Sequence, residues 1–359
     1  MNSSLFEWQQ ETWTQIIAMR QRMPHAILLY GNEGIGKAQF AEYLAKSLLC
    51  ETPTLASSDS PSQACGHCIS CNWFDQYSHP DYRRVRPGLL EEDEVEASGA
   101  EVEVKTAKAS KTPSKEILID QVRALTNFMN ISTHRQGQRV VLLYPVEALN
   151  VHAANALLKS LEEPNPNTVF ILVSHRIDRL LPTILSRCHK LPMPMPTREQ
   201  ALAWLSTQAI KEPAMWLAQQ GGAPLLALSM AQSEDAKEME DFVRGLTHPD
   251  VETCLKLADK MQKLELPRTI SCLQRWLYDI FSCKFNLGIR YYPKYQAELQ
   301  RLAAQSSTDQ LMKIIQSVQD RQAIASHPLS AKLFLEDMLL EYSSSFVHLA
   351  SSKNVPAPN

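Results

Sequence analysis

The sequence predicts an α/β domain with a parallel sheet and an inserted zinc module, followed by a small helical domain and an all-α C-terminal domain. Three observations predict it. A glycine-rich loop at residues 31–38 joins an apolar run to an amphipathic one; apolar runs then alternate with helix-period segments; and beyond about residue 191 the apolar spacing is helical throughout. Strands alternating with helices build a mostly parallel sheet covered by helices. At 359 residues the chain exceeds one typical domain, so two or three are expected.

Composition narrows the setting. Hydrophobic content of 44% and charged content of 21% are those of a soluble globular protein. A net charge of −3 carries no global basic character, so any contact with nucleic acid must be local. The first residues lack the basic-then-apolar order of a signal peptide, and no run approaches the ~20 apolar residues of a membrane span. Eight cysteines in such a chain point to free or metal-bound thiols in the cytoplasm rather than to a disulfide framework.

The first strand is His-Ala-Ile-Leu-Leu-Tyr at 25–30, and an amphipathic helix begins after Gly36 and runs to Leu49. Between them stands Gly31-Asn-Glu-Gly34-Ile-Gly36-Lys37-Ala38, to be set against the phosphate-loop template G-x-x-x-x-G-K-[S/T]. Backbone N–H groups around Gly31, Gly34 and Gly36 and the start of the helix are suited to cradle phosphate, with Lys37 as a point charge. The eighth position should supply a hydroxyl to Mg²⁺, and Ala38 has none. The same residues also fit a glycine-rich turn without a ligand.

Cys50, Cys65, Cys68 and Cys71 follow, the last three in C-x2-C-x2-C spacing. A single CxxC also fits redox chemistry, but two overlapping units with a fourth cysteine predict a tetrahedral thiolate site. Four protein ligands leave no open position, so the metal is expected to be structural. Such a site suits iron as well as zinc; zinc is the commoner structural choice. His67, inside the knuckle, is expected to face solvent. Residues 89–115, acidic and then lysine-rich with few large apolar side chains, read as a solvated, disordered insertion.

Ile117, Val122, Leu125, Phe128 and Met129 are spaced for one helix face. A strand, Arg139-Val-Val-Leu-Leu-Tyr144, comes next, then a helix from Ala153 to Glu163 and a strand from Thr168 to Val173. In a phosphate-loop ATPase the strand at 139–144 should end in acids that hold magnesium and polarise water. Here it ends in Tyr144-Pro145, and no acid follows until Glu147. Pro192, Pro194 and Pro196 mark a linker. Beyond it, Trp276, Tyr278, Phe281, Leu333, Phe334 and Leu339 are expected in helix-packing cores, with Cys254, Cys272 and Cys283 as small buried hydrophobes.

Two runs carry a resemblance. Ala154-Asn155-Ala-Leu-Leu-Lys159-Ser-Leu-Glu162-Glu163-Pro164 resembles a signature helix of bacterial DNA polymerase III clamp-loader subunits, and Leu181-Pro-Thr-Ile-Leu-Ser186-Arg187-Cys188 carries their Ser-Arg-Cys motif. The four-cysteine knuckle and His79-Pro80-Asp81 are also typical of that family. The resemblance covers residues 1 to about 340 and is sharpest over 25–82 and 139–191; the 89–115 insertion lies outside it.

The resemblance implies an AAA+ domain over 1–191 with its zinc module at 50–71, a small helical lid at 192–236, a helical collar for oligomerisation at 237–345 and a flexible tail at 346–359. Against the family's ATPases, the acidic pair falls on Tyr144 and Pro145, and the sensor arginine of the lid falls on Leu225. With Ala38, three elements of hydrolysis are replaced, and no ATPase activity is expected from this chain. Arg187 remains. In spacing alone it is an ordinary surface arginine in a salt bridge; the resemblance implies a finger reaching the ATP of a neighbouring subunit. The implied partners are the ATPase subunits and the delta subunit in a hetero-pentamer, and through them the sliding clamp and primed DNA. Two alternatives stand beside this. Glu147 could serve an atypical metal site in an ATPase, or the knuckle could bind nucleic acid with the nearby His79, Arg83, Arg84 and Arg86.

Overall fold

The computed structural model describes residues 5–54, 62–90, 114–131, 133–134, 137–325 and 330–347. Most of the 89–115 insertion and nearly all of the 346–359 tail therefore lie outside the described residues. The chain divides into two compact units, Met1–Thr197 and Arg198–Asn359.

The first unit is built on five strands: β1 (Ala26–Tyr30), β2 (Tyr82–Val85), β3 (Arg139–Leu143), β4 (Thr168–Ser174) and β5 (His189–Pro192). They form one sheet in the order β2-β3-β4-β1-β5, and every pairing is parallel. A parallel sheet is covered on both faces, which is why residues 140–143 of β3 and 169–173 of β4 read as unbroken apolar runs and both strands are buried at every position. Alternate residues divide between two cores. Ile27, Leu29, Ile171 and Val173 face Trp13, Phe40 and Leu44, which lie on helices α1 (Gln10–Ala18) and α2 (Lys37–Leu49). Further along the chain come α3 (Ile69–Asp75), α4 (Ile119–Asn130) and α5 (Val151–Glu162). Leu28, Val141, Leu143, Phe170 and Leu172 face Val122 and Leu125 of α4 and Leu157 of α5. Each such side chain contributes about 1.5–3 kcal/mol on full burial. A single turn, α6 (Pro182–Leu185), precedes the last strand.

Five elements of this unit were not predicted from sequence: α1, α3, α6, β2 and β5. The two strands lie at the edges of the sheet. Tyr-Arg-Arg-Val of β2 buries only its first and last residues, and His-Lys-Leu-Pro of β5 buries only Leu191. Edge strands tolerate charge, and Pro192 at an edge removes no needed donor. Pro192 therefore ends a strand rather than opening the linker, and the Met193 amide continues the pairing by donating to the Tyr30 carbonyl at 2.8 Å.

The second unit is helical, with no strand among its described residues. Helices α7 (Arg198–Ser206), α8 (Pro213–Gln219) and α9 (Pro224–Gln232) enclose a small core of Ala201, Leu205, Trp216, Leu217 and Ala227. Helices α10 (Ala236–Leu246), α11 (Val251–Met261), α12 (Leu266–Lys284), α13 (Gln296–Gln305), α14 (Thr308–Ile324) and α15 (Ala331–Val347) share a larger one. There the Trp276 indole N–H donates to the Tyr342 hydroxyl at 2.8 Å, which donates to the Leu246 carbonyl at 2.7 Å, tying α12, α15 and α10. Buried Asp279 accepts the amides of Arg290, Tyr291 and Tyr292 at 2.7–2.9 Å, fixing the loop after α12.

Trp276 and Leu339 are fully buried, and Phe281 and Phe334 partly so. Tyr278 and Leu333 are 46% and 66% exposed, contrary to expectation. Helical spacing identifies an apolar position but not which face its helix buries. Cys254 and Cys272 are buried, and Cys283 is half-buried.

Candidate functional site

The glycine-rich loop forms between β1 and α2 as predicted. Gly36 caps α2 with φ of 87°, a left-handed conformation that favours glycine. A Cβ there would lie 2.5 Å from the Phe6 ring, so Gly36 is also required by close approach. That approach comes from the N-terminal segment: Trp8 Nε1 donates to the Ile35 carbonyl at 3.0 Å, and Gln9 Nε2 to the Gly36 carbonyl at 2.9 Å. Phe6 stacks flat on Trp8 with centroids 4.6 Å apart. Sequence reasoning missed this strap, because no local pattern links residues 6–9 to residues 35–36.

Lys37 is 2% exposed, and its ammonium turns back on the loop, donating to the Gly31 carbonyl at 2.8 Å and to the Asn32 carbonyl. Burial pushes its pKa down to about 8, against the pull of Glu147 and Glu33. Ala38 begins the helix with no hydroxyl to offer.

Beside the loop, Tyr144 and Pro145 follow β3 where acids were sought. The Tyr144 hydroxyl accepts from buried Arg86 at 3.3 Å, so the group that follows β3 is a phenol backed by a guanidinium, with no carboxylate to offer a cation. Glu147 spends one oxygen on the His175 amide at 2.8 Å; its other oxygen is buried without a hydrogen-bond partner. Burial, with Lys37 nearby, lowers the His175 pKa. Leu225 lies in the first turn of α9, half-buried and uncharged.

The four predicted cysteines converge. Their sulfurs all lie within 4.8 Å of one another, with Cys50–Cys68 at 3.9 Å and Cys65–Cys71 at 4.0 Å. A zinc ion with Zn–S bonds near 2.3 Å sets tetrahedral edges of roughly 3.8 Å. Amides of Cys65, Cys68 and Cys71 donate to the sulfurs of Cys50, Cys65 and Cys68 at 3.3–3.4 Å, bonds that favour thiolates. The Thr52 hydroxyl and the His67 and Cys68 amides bring the Cys65 thiol down to about 5, while burial pushes Cys50 and Cys71 up. The donor set fits a closed zinc site. His67 is exposed and its Nδ1 lies 2.8 Å from the Cys65 carbonyl, outside the cluster.

The nearby basic residues do not form a basic surface. His79 is buried: the Asp81 amide donates to its Nδ1, so its Nε2 carries the proton toward Ser70 Oγ at 3.0 Å. The Asp81 carboxylate accepts the His134 amide at 3.1 and 3.2 Å. Arg84 pairs with Glu42 at 3.0 Å and lies over the Tyr77 ring. Arg86 is buried, and of the four only Arg83 is exposed, its guanidinium over Phe128. The cluster that motivated a nucleic-acid reading is largely a set of internal ties.

Arg187 stands apart from these groups. It follows α6 and is 32% exposed. Nη1 donates to the Thr183 carbonyl at 2.8 Å and to Ser186 Oγ at 3.3 Å, and Nη2 lies 2.6 Å from Glu162 Oε1. Ser186 donates in turn to the Thr183 carbonyl at 3.0 Å, and Cys188 is buried beneath. Glu162, at the end of α5, belongs to the quoted signature helix, but no local pattern pairs it with Arg187.

A sequence profile described as DNA polymerase III, delta subunit, matches residues 8–197. The chain is 35% identical to DNA polymerase III subunit delta' of Pseudomonas aeruginosa, across 98% of this chain and 94% of that protein. It is 26% identical to the Yersinia pestis protein of the same name, across 94% and 95% of the two chains. The Haemophilus influenzae one is 33% identical across 61% and 59%. Among solved structures, a DNA polymerase III gamma subunit-related protein of Thermotoga maritima aligns over 94% of this chain and 99% of its own, at 18% identity and a TM-score of 0.44. Near-complete coverage at 35% identity leaves one conclusion: the chain belongs to the delta-prime subunit family of bacterial DNA polymerase III.

Proposed function

We propose that this chain is a clamp-loader subunit that hydrolyses no ATP itself and supplies Arg187 to the ATP of a neighbouring ATPase subunit. The observation that carries the reading is a contrast within one unit. The loop's lysine is folded onto its own carbonyls and the position for metal-binding acids holds Tyr144 backed by Arg86, while Arg187 lies at the surface. A planar, permanently charged guanidinium suits a transferring phosphoryl group better than an ammonium does. Leu225, where the family's ATPases carry their sensor arginine, fits the same reading.

In this reading the chain joins the ATPase subunits and the delta subunit in a hetero-pentamer through its C-terminal helices, and the assembly opens the sliding clamp and places it on primed DNA in the cytoplasm. Cys50, Cys65, Cys68 and Cys71 hold one zinc ion, whose part is to fix the knuckle. Glu147 is a poorer candidate for hydrolysis in this reading: it lies beyond the end of β3, one carboxylate oxygen is held by the His175 amide and the other is buried.

The test is ATP turnover by the reconstituted loader with clamp and primed DNA. Arg187→Ala should cost the ATP site it serves roughly 10³-fold or more with assembly intact. Unchanged turnover would reduce the chain to a spacer, and Mg²⁺-dependent turnover by the purified chain alone, above a Lys37→Ala control, would overturn the non-hydrolysing part.

A further inference from the structure

We infer that Glu162 is a latch on Arg187, holding the guanidinium against its own subunit until the neighbouring nucleotide competes for it; this rests on the finger reading above. Three contacts hold the side chain: Glu162 Oε1 at 2.6 Å from Nη2, and the Thr183 carbonyl and Ser186 Oγ on Nη1. Together they engage both terminal nitrogens of the guanidinium. A carboxylate at that distance balances the charge that a phosphoryl group would use. An approaching phosphate must therefore displace an anion of its own sign before it gains the arginine.

The strength of the pair fits a latch. Arg187 and Glu162 are 32% and 48% exposed, so water and salt screen their attraction. Exposed pairs of this kind change an equilibrium by no more than about five-fold. A fully buried pair would be too costly to break once per turnover. Glu162 ends α5, where it can swing into solvent without disturbing the helix, and Arg187 follows the short α6 turn. Release needs only side-chain rotation at both ends. Glu162 is thus a positioning residue: it sets how much of the finger is available before clamp and DNA order the assembly.

The experiment compares wild type, Glu162→Gln, Arg187→Ala and the double variant in the loader reconstituted with its ATPase subunits, with and without clamp and primed DNA. Glu162→Gln keeps the size of the side chain and removes its charge. Turnover without clamp and DNA should rise about two- to five-fold, while turnover with them changes less than two-fold, so the stimulation ratio falls. In the Arg187→Ala background the same substitution should do nothing, because the effect acts through the arginine. Unchanged or lower basal turnover for Glu162→Gln would overturn the latch, a fall meaning that the glutamate orients the finger productively. A rise that persists without Arg187 would overturn it as well. If Arg187→Ala alone leaves both turnovers at wild-type values, the finger reading fails, an outcome distinct from failure of the latch.

Discussion

Lys37 places an ammonium where 2% of the residue meets solvent, and its two hydrogen bonds go to carbonyls of its own loop. Carbonyl dipoles offset only part of the lost hydration, and the pKa falls from 10.5 to about 8. Below pH 8 the lysine is charged in both folded and unfolded chains, and the full penalty is present. Between 8 and 10.5 the unfolded chain binds the proton that the folded one has released, so stability rises with pH across that window. The gain is at most about 3 kcal/mol. Urea denaturation of Lys37→Met at pH 7.5 and pH 10 should lack this increment, while the other groups titrating there change both proteins alike. Equal pH responses would mean that the ammonium is well solvated in the folded chain. The motif made Gly31, Gly36 and Lys37 legible in the sequence. The direction of the ammonium was not, because it depends on carbonyls that any residue could present and on the Trp8 and Gln9 strap.

Among the elements, the four-cysteine knuckle was the most legible, because thiolate chemistry fixes spacing. Cys50 immediately follows α2, and Cys68 caps α3, its sulfur accepting the Cys71 amide. A metal held there would clip the end of the loop helix to the start of the next one across a segment partly outside the described residues. We expect the purified chain to contain one zinc by elemental analysis. Cys68→Ser or Cys71→Ser should abolish it and lower the urea midpoint of the first unit, with a loss on the order of several kcal/mol. A metal-free wild-type protein with the same midpoint as the serine variants would make the cluster four reduced thiols. The edge strands β2 and β5 were illegible for the opposite reason. Their environment demands little of the side chains, and two arginines in β2 or a histidine and a lysine in β5 suit an edge without announcing a strand.

At the scale of the whole molecule, the division into Met1–Thr197 and Arg198–Asn359 leaves each part with its own cores. The first has the two faces of its sheet; the second has the cluster around Trp276, Phe242 and Tyr342 and the smaller one around Trp216. The change of pattern near residue 191 is legible because a parallel sheet and a helical unit differ in period. What the period could not supply was the outward face of each helix. Tyr278 and Leu333 looked like core and are exposed. Both units are well above the minimum size at which a chain buries a self-sufficient core, so residues 1–197 and 198–347 expressed separately should each fold. The second fragment should melt cooperatively, with helical circular dichroism that includes the Trp276–Tyr342 core. If its helices form the oligomerisation collar, it should also bind the partner ATPase subunits and compete with the full chain for assembly while adding no finger, so that turnover falls as its concentration rises. An unfolded fragment would mean that the first unit supplies part of the second unit's core. A folded fragment that leaves assembly untouched would move the oligomerising surface to residues 1–197, on the unit that also carries Arg187.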